Sequence, residues 1–394
     1  MERAEVGYFR GNKGGHLQLE AASNHNGMKT LSLSVMRVVA ATVSVLALTG
    51  GVVAQDAPKY SNEFLTIGVG AQALGMGQAV TANISDVNAG YWNPAGLLGV
   101  RSDLQVGAMH SEFFAGIAKY DHIGLAKRID SSSVIGITFL RFGVDNIPNT
   151  IDLIDNAGNL NYDRITSFSA ADHAFLISYA RKLSVPGLSL GGNAKIIYRR
   201  VGEFGKAWGF GLDAALNYQR KQWRFAAVAR DVTGTFNAWS YTLDQRTIEV
   251  FQQTGNELPA NSVEVTLPRL VLGAARGFRI GDKVDLMAEI DVENTFDGPR
   301  NTLISTSTWS ADPRIGIEVG YSRIVYLRAG VNTFQYVTDD NDARQLTMQP
   351  NLGLGIRIKS FHLDYALSRI ASGNEDLFSN IFSIRFDLFK KGTS

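Results

Sequence analysis

The sequence predicts an all-β fold, a 14-stranded antiparallel transmembrane β-barrel closed around an N-terminal plug rich in Gly and Ala. Three observations predict it. From Ser102 onward, apolar residues alternate with polar or small ones in runs of roughly 10 to 16 residues, as membrane strands do. Short and long connections take turns along the chain, which sandwiches of soluble proteins do not require. The stretch from Gly68 to Leu98 is almost free of charge and suits the inside of a closed sheet.

The chain begins with a segment to be set aside, residues 1–54. Met28, Lys29 and Arg37 precede an apolar run from Val38 to Leu48, and Val52-Val53-Ala54 gives the small residues a signal peptidase reads. Cleavage is expected after Ala54. The run is too short to span a bilayer, and the body contains no stretch of about 18 apolar residues. Residues before Met28 look polar and unstructured and do not enter the fold.

Residues 55–101 form a polar arm and the plug. Gly70, Gly75 and Gly77 permit tight backbone approach, and Asn93-Pro94-Ala95-Gly96 signals a turn in which Pro fixes φ. A nucleotide loop is a poor fit, because no third glycine stands at dinucleotide spacing and no Lys-Ser or Lys-Thr follows.

Residues 102–389 read as the barrel, with strands at 103–113, 117–129, 132–144, 172–183, 186–202, 207–220, 222–232, 263–279, 282–293, 313–322, 324–334, 347–358, 360–370 and 377–389. The run Lys283 to Asn294 is the clearest: Val284, Leu286, Ala288, Ile290 and Val292 point one way, and Asp285, Met287, Glu289, Asp291 and Glu293 the other. Short turns fall near Asp130, Ser184, Lys221, Gly281, Ser322 and Lys359. Long connections fall at Asp145 to Ala171, Thr233 to Ser262, Thr295 to Asp312 and Gln335 to Leu346. With short turns periplasmic, both termini are expected on the periplasmic side. Phe382, Ile384, Phe386 and Leu388 make the last strand amphipathic, ahead of a tail at 390–394. Trp208, Trp223 and Tyr321 suit interfacial girdles. Gly191-Gly192 reads as a bend or kink in the wall.

Closure follows from solvation. An unpaired backbone group in hydrocarbon costs several kcal/mol, so a membrane sheet cannot keep an edge. At 14 strands the lumen is wider than side chains alone fill, which leaves room for the plug.

The alternation places Lys195, Arg199, Glu289, Asp291, Arg328, Arg357, Asp364 and Arg385 inside. They read as an ion-pair network bracing the lumen or as a polar path for a ligand. Catalysis by Glu289 and Asp291 is a third possibility, but acids at alternate positions are expected in any lumen. The histidines of the body (His110, His122, His173 and His362) show no metal-ligand spacing. No Gly-x-Ser-x-Gly elbow occurs. The chain is therefore read as non-enzymatic, with no cofactor or metal. The absence of cysteine excludes disulfides, and a net charge of +1 argues against nucleic acid as a partner. Phe236, Trp239, Tyr241 and Phe251, in the connection Thr233 to Ser262, are candidates for a protein-binding surface or for folding onto the barrel mouth.

Gly70, Ala71, Leu74, Gly75, Met76 and Gly77, followed by Trp92, Asn93, Pro94, Ala95 and Gly96, resemble the N-terminal signature of the PorV/PorQ family, a branch of the FadL-like outer-membrane barrels. The resemblance implies an integral outer-membrane protein of the type IX secretion system. Its outer loops would bind the C-terminal domains of secreted cargo or other secretion proteins. The wider FadL-like resemblance implies the alternatives, a transporter of hydrophobic small molecules or a scaffold for another outer-membrane complex. In such transporters the ligand leaves past the plug or through a lateral opening.

Overall fold

The computed structural model describes residues 61–155, 158–338, 342–372 and 375–390. The expected leader and signal segment, the start of the arm, and the tail from 391 lie outside the described residues. Seventeen strands are present: β1 (Leu104–Phe113), β2 (Ala118–Arg128), β3 (Ser133–Asn149), β4 (Thr166–Lys182), β5 (Leu188–Val201), β6 (Gly205–Arg220), β7 (Trp223–Arg230), β8 (Thr235–Tyr241), β9 (Ser262–Thr266), β10 (Arg269–Ile280), β11 (Val284–Thr295), β12 (Ile304–Ser305), β13 (Ser310–Tyr321), β14 (Val325–Thr338), β15 (Arg344–Ile358), β16 (Phe361–Ser372) and β17 (Glu375–Leu388).

They form one antiparallel cylinder. β1 pairs with β2 on one side and with β17 on the other, Leu104 opposite Leu388, so no edge remains. The lower half of β6 pairs with β7 and its upper half with β8. β10 pairs with β7, and β9 with β8. β7–β8 and β9–β10 are thus each one wall strand with an interruption, and β12 is a two-residue addition to β13. The wall has fourteen strands.

Two expectations change here. Asp145 to Ala171 is strand at both of its ends, because β3 and β4 continue pairing past a bulge between Val144 and Ile147 up to Asn149 and Thr166, which leaves a connection at 150–165. Phe236, Trp239 and Tyr241 are not loop residues. They lie on β8, which supplies the upper half of β6 with the partner it loses when β7 ends. Phe236 points outward, and Trp239 is buried on the inner face. Phe251 alone stays in the connection, on a short helix, Gln245–Gln253.

The outer face is apolar. Leu352, Leu354, Ile356 and Ile358 of β15 are exposed, while the intervening Asn351, Gly353 and Gly355 are buried. Phe139, His173, Tyr198 and Trp208 run side by side across β3 to β6 on the long-loop half, with neighbouring ring centroids 4.7 to 6.1 Å apart. The same cross-strand row continues through Arg141, opposite His173, to Asp121 and His110: His110 Nδ1 meets Asp121 at 2.7 Å, and Arg141 meets Asp145 at 2.9 Å, a charged end to the row on the outer wall. At the opposite end Arg276 lies over Trp223 and Phe278, 4.9 and 4.7 Å from the ring centroids. Aromatic and charged residues thus bracket the greasy belt at both ends. Among the described residues no helix is long and apolar enough to cross a membrane.

The short turns are held locally. Asp130 accepts from the Ser132 amide and from the Ser132 and Ser133 hydroxyls, which keeps its carboxyl well below the usual carboxylate range.

Ile290→Lys places a charge in the middle of the belt, worth about 2–4 kcal/mol against insertion. Its heat-modifiable folded band should be depleted in gel-shift folding into lipid. Glu289→Gln, one residue away on the inner face, should fold as the parent does.

Candidate functional site: the plug and the lumen it fills

The plug runs from Ser61 to Val100. It contains a 3-10 turn (Glu63–Thr66), α1 (Ala71–Gly75), α2 (Ala89–Trp92) and a second 3-10 turn (Pro94–Gly99). None of these is long enough to persist alone, so the fold of the plug depends on its own cross-links and on the wall. Trp92 donates from its indole to the Val69 carbonyl at 2.8 Å. Its ring leaves no space for a side chain at Gly68, whose φ is +93°. Asn93 donates to the Thr81 carbonyl at 2.7 Å and accepts from the Ala95 amide at 3.1 Å, with Pro94 opening the turn.

Two kinds of contact hold the plug in the wall. The first is close backbone approach. Gly75 lies against Gly353, and Met76 lies so close to Gly330 that an added Cβ there would sit 2.1 Å from the Met76 carbonyl carbon. Gly191 faces the plug in the same way: an added Cβ would fall 2.2 Å from the Ala95 amide. It therefore marks where the plug touches the wall, not a kink. The interruption of the wall lies instead at Asp231 to Gly234, between β7 and β8.

The second kind is polar. Asp291 accepts from the Val80 and Thr81 amides at 3.0 and 2.9 Å, and Glu289 from the Ala82 amide at 2.6 Å. Ser383 and Gln105 accept from the Ala71 and Val87 amides at 3.0 and 2.6 Å. The wall thus satisfies backbone donors that the irregular plug cannot pair internally. Glu289 and Asp291 stand together at this docking site.

The remaining inward charges form three groups. In the first, Lys195 contacts Asp213 at 2.8 Å and Asp231. Asp231 lies 3.7 Å from Arg269, and Glu293 joins Arg269 to Arg314 at 3.2 and 2.5 Å. This chain of charges underlies the wall interruption. In the second, Arg328 pairs with Glu318 and Asp364 at 2.6 and 2.7 Å, and Arg385 with Asp364 at 3.1 Å and with Asp86 of the plug. In the third, Arg199 joins Asp172 and Glu264 at 2.8 and 3.0 Å beneath the Trp239 ring. Arg357 faces the lumen but stands apart, exposed near the short-turn rim.

Sequence reasoning missed Asp213, Asp231, Arg269, Glu293 and Arg314 as members of the first group. Glu293 sat in the alternation with Glu289 and Asp291. Asp231 sits in a turn, where no periodicity marks it.

The lumen is two-sided. The wall from β1 to β5 presents Met109, Tyr120, Leu140, Leu176 and Ile197 to the plug, all buried, and these pack with Phe64, Leu65 and Trp92. The ionic groups lie mostly on the other strands. Below the plug, toward the short turns, a cavity of about 1300 Å³ opens between the plug floor and the rim. At the long-loop end, the helix after β8 is capped by Asp244, which accepts from the Thr247 amide at 2.8 Å; that bond lowers its carboxyl pKa. Arg246 of this helix bonds the Ile154 carbonyl at 2.7 Å, joining the two longest connections. Ser61 does not sit at the short-turn end: it lies inside the barrel and contacts Glu264 of β9 at 3.2 Å.

No protein-family model matches the chain, and no curated protein matches it in sequence. Solved structures do. The monoaromatic hydrocarbon channel CymD is 13% identical, with a TM-score of 0.50, over 82% of this chain and 98% of that one. The toluene transporter TodX of Pseudomonas putida gives the same identity, TM-score and shares. A FadL homologue of Pseudomonas aeruginosa is 12% identical with a TM-score of 0.46, over 81% and 98%. The likeness to CymD and TodX is one of fold: this chain shares their closed antiparallel barrel, here of fourteen strands.

Gly330→Val should push the plug off the wall without breaking the sheet. Limited proteolysis should then cut between residues 70 and 100 while strand content by circular dichroism stays constant. Lys195→Met leaves the buried Asp213 without a cation and Asp231 with Arg269 alone, a loss of about 3–5 kcal/mol for a broken buried pair. The denaturant midpoint should fall accordingly, and an unchanged midpoint would mean that this group does not brace the wall.

Proposed function

We propose that the protein is an integral outer-membrane barrel that passes hydrophobic small molecules and does no covalent chemistry. The observation carrying this reading is the group of apolar side chains on the inner wall of β1 to β5 that face the plug among polar neighbours such as His122, Thr138 and Ser178. Water-filled barrels line their lumen with polar side chains. Here Met109, Leu140, Leu176 and Ile197 offer an apolar track beside a plug whose ionic anchors lie mainly on the opposite wall. The fold shared with a monoaromatic hydrocarbon channel and a toluene transporter supports the same reading. The break between β7 and β8, latched by Lys195, Asp213 and Asp231, is the place where the ligand would leave the wall sideways.

A second reading is a protein-handling barrel of the PorV/PorQ type, serving type IX secretion by binding cargo or partner proteins at its outer loops. The plug signature supports it, as does the capped helix after β8 with Phe251, set against the neighbouring loop by Arg246. Three of its four expected loop aromatics lie on β8 instead, and this ranks it second.

The test is uptake of toluene at low concentration by cells carrying the barrel in their outer membrane. Uptake should exceed that of cells without it and fall severalfold in Leu176→Arg. Equal uptake in all three, with a secretion protein co-purifying from mild detergent, would favour the second reading.

A further inference from the structure

The cavity below the plug has an unbalanced charge. Its lining holds nine Lys and Arg against five Asp and Glu, in a chain whose totals are 38 and 37. Each of the five acids is already engaged. Asp86 and Asp364 hold Arg385, and Glu318 holds Arg328 at 2.6 Å. Asp285 is shared by Arg279 and Arg323 at 2.7 and 3.3 Å, and Asp387 holds His362 at 3.1 Å. Five cations are left: Arg101, Lys182, Lys221, Arg224 and Arg357. Among the described residues none has a carboxylate within ion-pair distance. Lys182 bonds the Ser131 carbonyl at 2.8 Å, and Arg224 bonds Asn83, both neutral acceptors.

We infer that this bowl is a docking site for an acidic peptide segment of another protein on the short-turn side of the membrane. Placement separates this from a site for one small anion. Arg101 belongs to the chain leaving the plug floor, Lys182 to the end of β4, Lys221 to the β6–β7 turn, Arg224 to β7 and Arg357 to the end of β15. Arg101 and Arg224 lie under the plug, while Lys182 and Arg357 stand at the rim on opposite sides of the wall, on β4 and β15, so the five do not converge on a point as a phosphate would require. The volume, about 1300 Å³, also exceeds the roughly 300–1,000 Å³ of small-molecule pockets. A chain carrying several carboxylates meets a ring of separated cations, each gaining attraction and the whole steering the encounter. The inference is independent of which ligand crosses the lumen.

The test uses the full chain in lipid nanodiscs and a fluorescent peptide of alternating Glu and Gly, read by anisotropy. Binding should saturate and weaken about tenfold when ionic strength rises from about 0.05 to 0.3 M, as the Debye length shortens. The double variant K221E/R357E should weaken it about tenfold or more. R181E, a charge reversal on the outer face near the same rim, should change it less than about twofold, since exposed charges off the site contribute little. All three variants are first checked for the heat-modifiable band. Non-saturating binding, or equal loss in R181E, would overturn the inference. So would displacement by inorganic phosphate beyond the effect of an equal ionic strength of chloride, which would mark a small-anion site.

Discussion

A strand in hydrocarbon can place its amides only on another strand, and this single constraint orders the molecule. It closes β1 onto β17. It also explains why β6 takes a second partner, β8, when β7 ends: leaving the upper half of β6 bare would expose a row of donors and acceptors to lipid. The same rule extends inward. The plug is irregular and buried, and its otherwise unpaired amides at Ala71, Thr81, Ala82 and Val87 end on wall side chains, as does the Val80 amide, which also meets the Gln78 carbonyl. Carboxylates, a hydroxyl and an amide do inside the barrel what neighbouring strands do in the wall.

This division of labour makes the lumen asymmetric. Strands β10 to β17 spend their inward polar groups on fixing the plug and on bracing one another. Strands β1 to β5 add apolar side chains on the other flank, with fewer polar plug contacts there, such as Gln105 to Val87 and Asn193 to Gly90, and with Lys195 and Arg199 on β5. Under the proposed function, a hydrophobic molecule moving along that flank would exchange one apolar surface for another while the anchored flank keeps the plug in place. The wall interruption sits at the border between the two flanks, over the group of charges that begins at Lys195.

The strands were legible in the sequence because lipid on one face and a filled lumen on the other impose a period of two. Val284 to Glu293 shows it. Legibility failed where that pressure ends. Beyond Val144 the alternation blurs although β3 and β4 keep pairing past a bulge to Asn149, as expected where the outer face no longer meets lipid. β8 was mistaken for loop because Asp231 to Gly234 breaks the phase between two stretches of one wall strand. The lumen charges were legible as inward but not as partners, since pairing links strands far apart in sequence: Arg328 and Asp364, or Asp86 and Arg385. That Glu289 and Asp291 receive the plug was hidden for a different reason. Their donors are backbone amides, which carry no residue signature.

The central claim is that wall carboxylates hold the plug through its backbone. Amide hydrogen exchange at Val80, Thr81 and Ala82 in lipid nanodiscs tests it most directly. The account predicts that these three amides exchange as slowly as the neighbouring strand β11, and that D291N together with E289Q speeds them while β11 stays protected. Exchange of the same amides at the rate of exposed loops in the parent protein would contradict it.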